Sequence, residues 1–244
     1  MSDRPSPIDD SLQAALQTLL AAIAARNRAK ASRLLGEAPA LARLAIKVGA
    51  TRAEAEGHFF EEIRHYAYAG DTALHIAAAA YERDIAEALT SKGANLRARN
   101  RRGAEPLHYA VDGVPHSEAW DPEAQSAIVV FLIGAGADPN SQDKSGVAPL
   151  HRAVRTRCAA AVRALLAHGA EPVGRNKAGS TPLHLAVQNT GRGGTGSAAS
   201  RDQQAEIIEL LLSHGARASD KDANGKSVTE CVTVDWIRAL LRPA

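Results

Sequence analysis

The strongest constraint on this chain is that it repeats itself. Four stretches align on one another: GDTALHIAAAA from Gly70, GAEPLHYAVDG from Gly103, GVAPLHRAVRT from Gly146 and GSTPLHLAVQN from Gly179. Their histidines, His75, His108, His151 and His184, are spaced by 33, 43 and 33 residues. A second mark trails each one, GAN from Gly93, GAD from Gly136, GAE from Gly169 and GAR from Gly215, with Leu89, Leu132, Leu165 and Leu211 four residues ahead of the glycine. A fifth start, GKSVTECV, opens at Gly225. The period is therefore 33, with 10 extra residues in the second unit and 13 in the fourth. Such a period belongs to chains made of small units that each bury a flank against the next, not to a globule around one centre.

Each unit reads as a short helix, a turn, a second helix and a glycine end. In the fourth, Thr181 reads as the N-cap and Pro182 as the first helical residue, where a missing N–H is harmless. Leu183, Ala186 and Val187 share one face, and Ile207, Ile208, Leu211 and Leu212 share a face of the next helix. Gly215 stands where a left-handed residue ends it. Alanine after the histidines permits close helix approach, which a chain with only 4% aromatic residues needs for a core.

These marks resemble the ankyrin-repeat family, whose 33-residue unit carries T-P-L-H-x-A, over roughly residues 67–244. The resemblance implies an all-α fold, an ankyrin-repeat solenoid of stacked helix pairs with β-hairpin-like finger loops. It also implies that the repeated histidine is structural, its ring nitrogens bonding backbone within and between units. The expected layout is a disordered 1–10, a helical N-terminal cap or extension over 11–69, four repeats over 70–224, and a capping repeat over 225–244 in which Trp236 lies beside Ile237, Leu240 and Leu241. Residues 11–38 read as a degenerate unit with a turn near Asn27, and Thr51 with Glu54 as a capping box opening a helix to about Tyr68. The two insertions, near 113–122 and 191–203, both fall between the helices of their units. The resemblance puts both on the edge opposite the fingers, and the second, rich in Gly and Ser, reads as flexible.

Composition closes off other classes. Lys plus Arg is 29 and Asp plus Glu is 27, a net charge of +2, so charge alone points to neither nucleic acid nor membrane. Cys158 and Cys231 lie far apart with no C-x-x-C spacing, which excludes a disulfide scaffold or a cysteine zinc site and suits a cytoplasmic location. MSDRPSPIDD has no basic-to-apolar signal pattern, and Leu16 to Ala25 is too short to span a bilayer.

Several motifs imitate chemistry. The repeated histidines are one unit apart, too distant to share an ion. Gly191, Gly193 and Gly196 match G-x-G-x-x-G but lack the preceding strand that a dinucleotide site needs. Asp220, Asp222, Asn224 and Gly225 start like a calcium loop, yet the twelfth position is Cys231. His58, Glu62 and His65, at i, i+4 and i+7 of the expected extra helix, would share a face and give the alternative reading: a metal-dependent enzyme or small-ligand binder. No catalytic motif accompanies them, so the leading expectation is a non-catalytic protein without cofactors.

The polar surface is more informative. The first finger reads NLRARNRR, with Arg97, Arg99, Arg101 and Arg102, and later fingers carry Lys144, then Arg175 and Lys177. The first helices add Arg152 and Arg155, with Asp112 as counter-charge. By resemblance, finger tips and first-helix surfaces contact partners, which singles out Arg99, Arg101, Arg102, Asp112, Lys144, Arg155, Lys177 and Gln188. Trp120, in an insertion with His116, reads as an exposed interface anchor. The expected partner is a protein with an acidic surface. A membrane or a small-molecule ligand is not expected, and basic residues without interleaved aromatics argue against nucleic acid.

Overall fold

A computed structural model describes residues 7–115, 117, 120–189 and 197–242. His116, Gly191, Gly193 and Gly196 lie outside the described residues. The chain divides into two compact units, one of 1–110 with 134–137 and the other of 111–133 with 138–244.

The first unit opens with α1 (Pro7–Ala24) and α2 (Arg28–Glu37), joined by a turn in which the Asn27 side chain accepts the Lys30 N–H. Helix α1 thus begins at Pro7, within the stretch 1–10 expected to be disordered. Two repeat helices follow, α3 (Ala73–Ala79) and α4 (Arg83–Ser91), then α5 (Pro106–Ala110). Helix α1 packs on α3, α3 on α5, and α2 on α4, so the first pair lies on the second as one repeat lies on another. Leu16, Leu19, Leu20 and Ile23 of α1 are fully or almost fully buried, with Leu74, Ile76, Leu89 and Leu107. Ala77 and Ala78 of α3 are completely buried, and their small side chains let the neighbouring helices come close.

Residues 51–68 contradict the expected helix. Thr51 does engage Glu54, its hydroxyl accepting the Glu54 N–H at 2.9 Å, but the turn does not propagate. The chain instead makes a tight antiparallel hairpin, β1 (Phe59–Phe60) with β2 (His65–Tyr66), preceded by a 3-10 turn at Glu56–His58 and looped through another at Glu61–Ile63. Gly57 and the β-favouring pair Phe59–Phe60 weaken a helix there, and Arg64 turns the chain at φ 51°. Phe59 and Tyr66 meet across the hairpin with ring centroids 4.6 Å apart. Ladder bonds from Ala50 to Ala67, and from Ile46 to both Gly70 and Asp71, sew this segment to the start of α3.

The second unit holds all but the last residue of α6 (Pro122–Gly134), with α7 (Pro149–Arg155), α8 (Ala159–Ala167), α9 (Pro182–Ala186), α10 (Ala198–Ser213), α11 (Val228–Cys231) and α12 (Asp235–Leu240). Helix α7 packs on α8 and α9, α10 on α8, α9 and α12, and α11 on α9. The core runs from Leu150, Val154, Val162 and Leu165 through Leu183, Ile207, Ile208 and Leu211 to Val228 and Ile237. The described tail of the second insertion is helical, because Ser197 caps α10 by accepting the Ser200 N–H and 198–203 form its first turns. That corrects the expectation of a flexible loop through 203.

The repeat marks have specific work. Gly93, Gly136, Gly169 and Gly215 sit at φ between 84° and 109°, the left-handed region that glycine adopts without strain. Between the two helices of a pair, by contrast, Arg26, Tyr81 and Arg157 hold φ between 54° and 61° with full side chains. No described helix is long and apolar enough to cross a membrane.

Candidate functional site

The histidines come first, because they set the backbone from which the fingers project. In all four repeats the ring Nδ1 accepts the N–H of the residue three earlier: Thr72, Glu105, Ala148 and Thr181, at 3.1–3.3 Å. An accepting Nδ1 has no proton, so the proton sits on Nε2. From there His75 reaches the Ala104 carbonyl at 3.2 Å, His151 that of Ser180 at 3.2 Å and His184 that of Lys226 at 3.3 Å. Each of these three rings therefore ties its own helix start to the next finger. Thr181 is the N-cap of α9, as the sequence suggests, and its hydroxyl pairs with Nδ1 of His184 at 2.8 Å. Burial lowers the pKa of His75, against the opposing pull of Asp71, and burial also lowers that of His151.

Each finger turns on one Asp or Asn. The side-chain oxygens of Asn100, Asp143, Asn176 and Asp222 each accept the N–H groups two and four residues ahead. For Asp222 these bonds, the one from Lys226 foremost, hold the carboxyl below the usual carboxylate range. The calcium-like residues are thus a finger turn closed on its own backbone.

The first finger, in the first unit, is anchored more elaborately. The Asn100 amide donates to Asp71 Oδ1 and to the Tyr109 hydroxyl, both at 2.9 Å. Tyr109 donates to Asp71 Oδ2 at 2.7 Å, which also accepts the Tyr68 N–H at 2.6 Å. Asp71 and Tyr109 are wholly buried, and the His65 ring lies 4.2 Å from Tyr109. On the outside of this anchor, the guanidiniums of Arg101 and Arg102 lie 5.3 and 5.1 Å from the centre of the Tyr68 ring. Arg102 also donates to the Tyr68 hydroxyl at 3.0 Å. Both arginines are exposed, and the aromatic face restrains them without neutralising them. Arg99 differs: its Nε donates to Glu105 at 3.0 Å, and the carboxylate is buried. Nothing in the sequence marks Tyr68 as this platform, because it reads as the end of a helix that does not form.

In the second unit, Lys144, Arg155 and Lys177 are exposed. Arg175 is drawn into the fingers, donating to Gly179 O at 2.7 Å and to Lys221 O. Asp112 is not an open contact residue: it pairs with Arg152 at 3.1 Å, with side chains only 20% and 12% exposed. Gln188 is exposed, while its carbonyl accepts from Arg157 and Gln204. Trp120 is half-buried, correcting its expected exposure. Its indole N–H donates to the buried Gln125 at 3.0 Å, and Gln125 in turn donates to Asp112 O.

The His58, Glu62 and His65 trio loses its basis with the helix. His58 ends one 3-10 turn, Glu62 lies in the next, and His65 is in β2 with Nδ1 2.8 Å from Tyr66 O. Among the described residues no group of three or more His, Cys, Asp or Glu is placed to hold a metal ion.

Comparison with known proteins agrees with the repeat architecture. A model of three ankyrin repeats matches residues 119–222, and a single ankyrin repeat matches 69–101. Over 96 residues the chain is 38% identical to the E3 ubiquitin-protein ligase KEG of Arabidopsis thaliana, a stretch that is 38% of this chain and 5% of that protein. The family matches take in more than half of the sequence, and ankyrin repeats are protein–protein interaction modules. With histidine, glycine and finger turn each in its structural role, the chain belongs to the ankyrin-repeat family.

Proposed function

We propose that this protein is a non-catalytic docking module that binds an acidic partner protein through its finger arginines. The observation that carries the reading is the pair Arg101 and Arg102, exposed and both held over Tyr68. Two guanidiniums already restrained in the free protein lose less side-chain freedom on binding than two mobile ones. Their planar forks suit bidentate pairing with carboxylates. Arg99, paired with Glu105, stiffens the finger and contributes less to docking. Lys144, Arg155 and Lys177 add positive charge on the second unit, where it steers encounter more than it adds affinity. Asp112 acts by orienting Arg152, and Trp120 offers part of one indole face. The reading includes a cytoplasmic location, which the two free cysteines suit.

The test is quantitative capture from native extract on immobilised wild type and on R101E/R102E. The expected result is a partner, rich in surface Asp and Glu, whose recovery falls at least about tenfold on the variant and returns when partner carboxylates are reversed to lysine. Capture unaffected by the double reversal, in a variant with an unchanged melting profile, overturns the proposal.

A further inference from the structure

The second unit ends in a groove that shares no residue with the finger contact. It lies between the stem of the last finger and the ends of α10, α11 and α12, and has a volume of about 1030 Å³. Leu212, Ala218 and Leu241 give it an apolar floor, and Arg217, Lys221, Arg238 and Arg242 surround that floor. The side chains of Arg217, Lys221 and Arg242 make no hydrogen bond or ion pair among the described residues. Arg238 is partly engaged by Asp235 at 2.7 Å, a residue standing almost wholly in solvent.

Among the described lining residues one carboxylate is present, Glu230, and it is already hydrogen-bonded. Glu230 Oε2 accepts from the Ser227 backbone N–H at 2.7 Å and from the Ser227 hydroxyl at 2.6 Å, closing the capping box of α11. Glu230 keeps its charge and offsets part of Lys221's, and Arg238 is shared with Asp235, so four cations leave the rim net positive around a surface that favours aliphatic contact. The long stems of the arginines and the lysine extend that apolar surface while their heads stay in water.

We infer that this C-terminal groove is a second docking site, and that its occupant is an acidic amphipathic peptide segment of a partner protein. The segment would place carboxylates against Arg217, Lys221 and Arg242 and an aliphatic side chain over Leu212 and Leu241. Charge complementarity selects an acidic peptide over a basic one, and the apolar floor selects an amphipathic segment over a merely acidic one. Among the described residues no aromatic ring lines the groove, and these give no stacking platform of the kind that single-stranded nucleic acid uses. The fingers and the groove would then engage acidic partners separately.

The test uses the full chain and three fluorescein-labelled peptides of equal length: Glu with Leu in amphipathic helical order, Glu with Ser, and Lys with Leu. Fluorescence polarisation is read at about 0.15 M salt, where unspecific surface attraction is largely screened. The Glu/Leu peptide binds at least about tenfold more tightly than either control, and R217E/R242E weakens it by at least about tenfold. Ser219→Trp, which fills the groove without changing charge, blocks it too, while R101E/R102E leaves it intact. Circular dichroism melts confirm that each variant folds. Equal binding of the Glu/Ser peptide, no binding of the Glu/Leu peptide, or full binding by folded R217E/R242E overturns the inference. So does self-association through this groove that the Glu/Leu peptide does not compete away.

Discussion

The two units carry the same repeat marks and anchor them differently. In the second, among the described residues, His151 and His184 bind main-chain groups and, for His184, its own Thr181, and the fingers close on themselves. In the first, the same backbone arrangement is overlaid with a buried polar cluster. Asp71 accepts from Asn100, Tyr109 and Tyr68, with His75 at 3.7 Å. The difference traces to the segment 44–72, which folds as a hairpin against the start of α3 and brings Tyr68 and His65 to the first finger. A repeat thus supplies a common frame, and an added segment converts one copy into a specialised site.

The largest effect expected concerns how the second unit is closed. Deleting 225–244 removes the buried Val228, Val232, Ile237 and Leu241 and uncovers α9 and α10. At roughly 1.5–3 kcal/mol for each buried aliphatic side chain, the loss exceeds what a small repeat unit can spare. The truncated chain is expected to aggregate and to lose its cooperative melt, read by size-exclusion chromatography and circular dichroism. A soluble truncation with an unchanged melt would mean that the last repeat is not a cap.

Asp71→Ala strikes the cluster of the first unit alone. It leaves Asn100, Tyr109 and the Tyr68 N–H without their buried acceptor, and about 3 kcal/mol of stability should be lost in urea unfolding. Asp143→Ala, in an exposed finger of the second unit, should cost about 1 kcal/mol. Equal losses would erase the contrast between the units.

Acid should act on both units through the histidines. Burial depresses the folded-state pKa of His75 and His151, so below the unfolded value of about 6.5 the unfolded chain takes up protons that the folded chain refuses. Their contribution is fully present above that pH and is lost as pH falls, by up to about 1.4 kcal/mol per pH unit for each histidine. Denaturant midpoints between pH 8 and pH 5 should fall in wild type and fall less in His151→Gln.

The sequence made the repeats legible because their marks act through the backbone. A glycine at positive φ, or a ring nitrogen taking a main-chain N–H, does the same job in every copy and leaves the same trace. The hairpin was not legible for an equally physical reason. Phe59 and Tyr66 are seven residues apart, which aligns them on a helix face and also pairs them across a tight hairpin. Only long-range bonds such as Gly70 to Ile46 decide between the two. The site was half legible. Sequence placed positive charge on the fingers and Asp112 as counter-charge to Arg152 and Arg155, but only folding reveals that Arg99 is paired to Glu105 and that Arg101 and Arg102 share Tyr68.

The left-handed turns within the helix pairs carry a consequence for how this chain tolerates change. Arg157 occupies such a turn while its guanidinium donates to the Gln188 carbonyl at 3.0 Å, just past the end of α9. A glycine there would bend with less resistance and would also cut that tether. The residue exchanges backbone ease for a strap between consecutive repeats, so a substitution that relaxes the corner loosens the wall it belongs to.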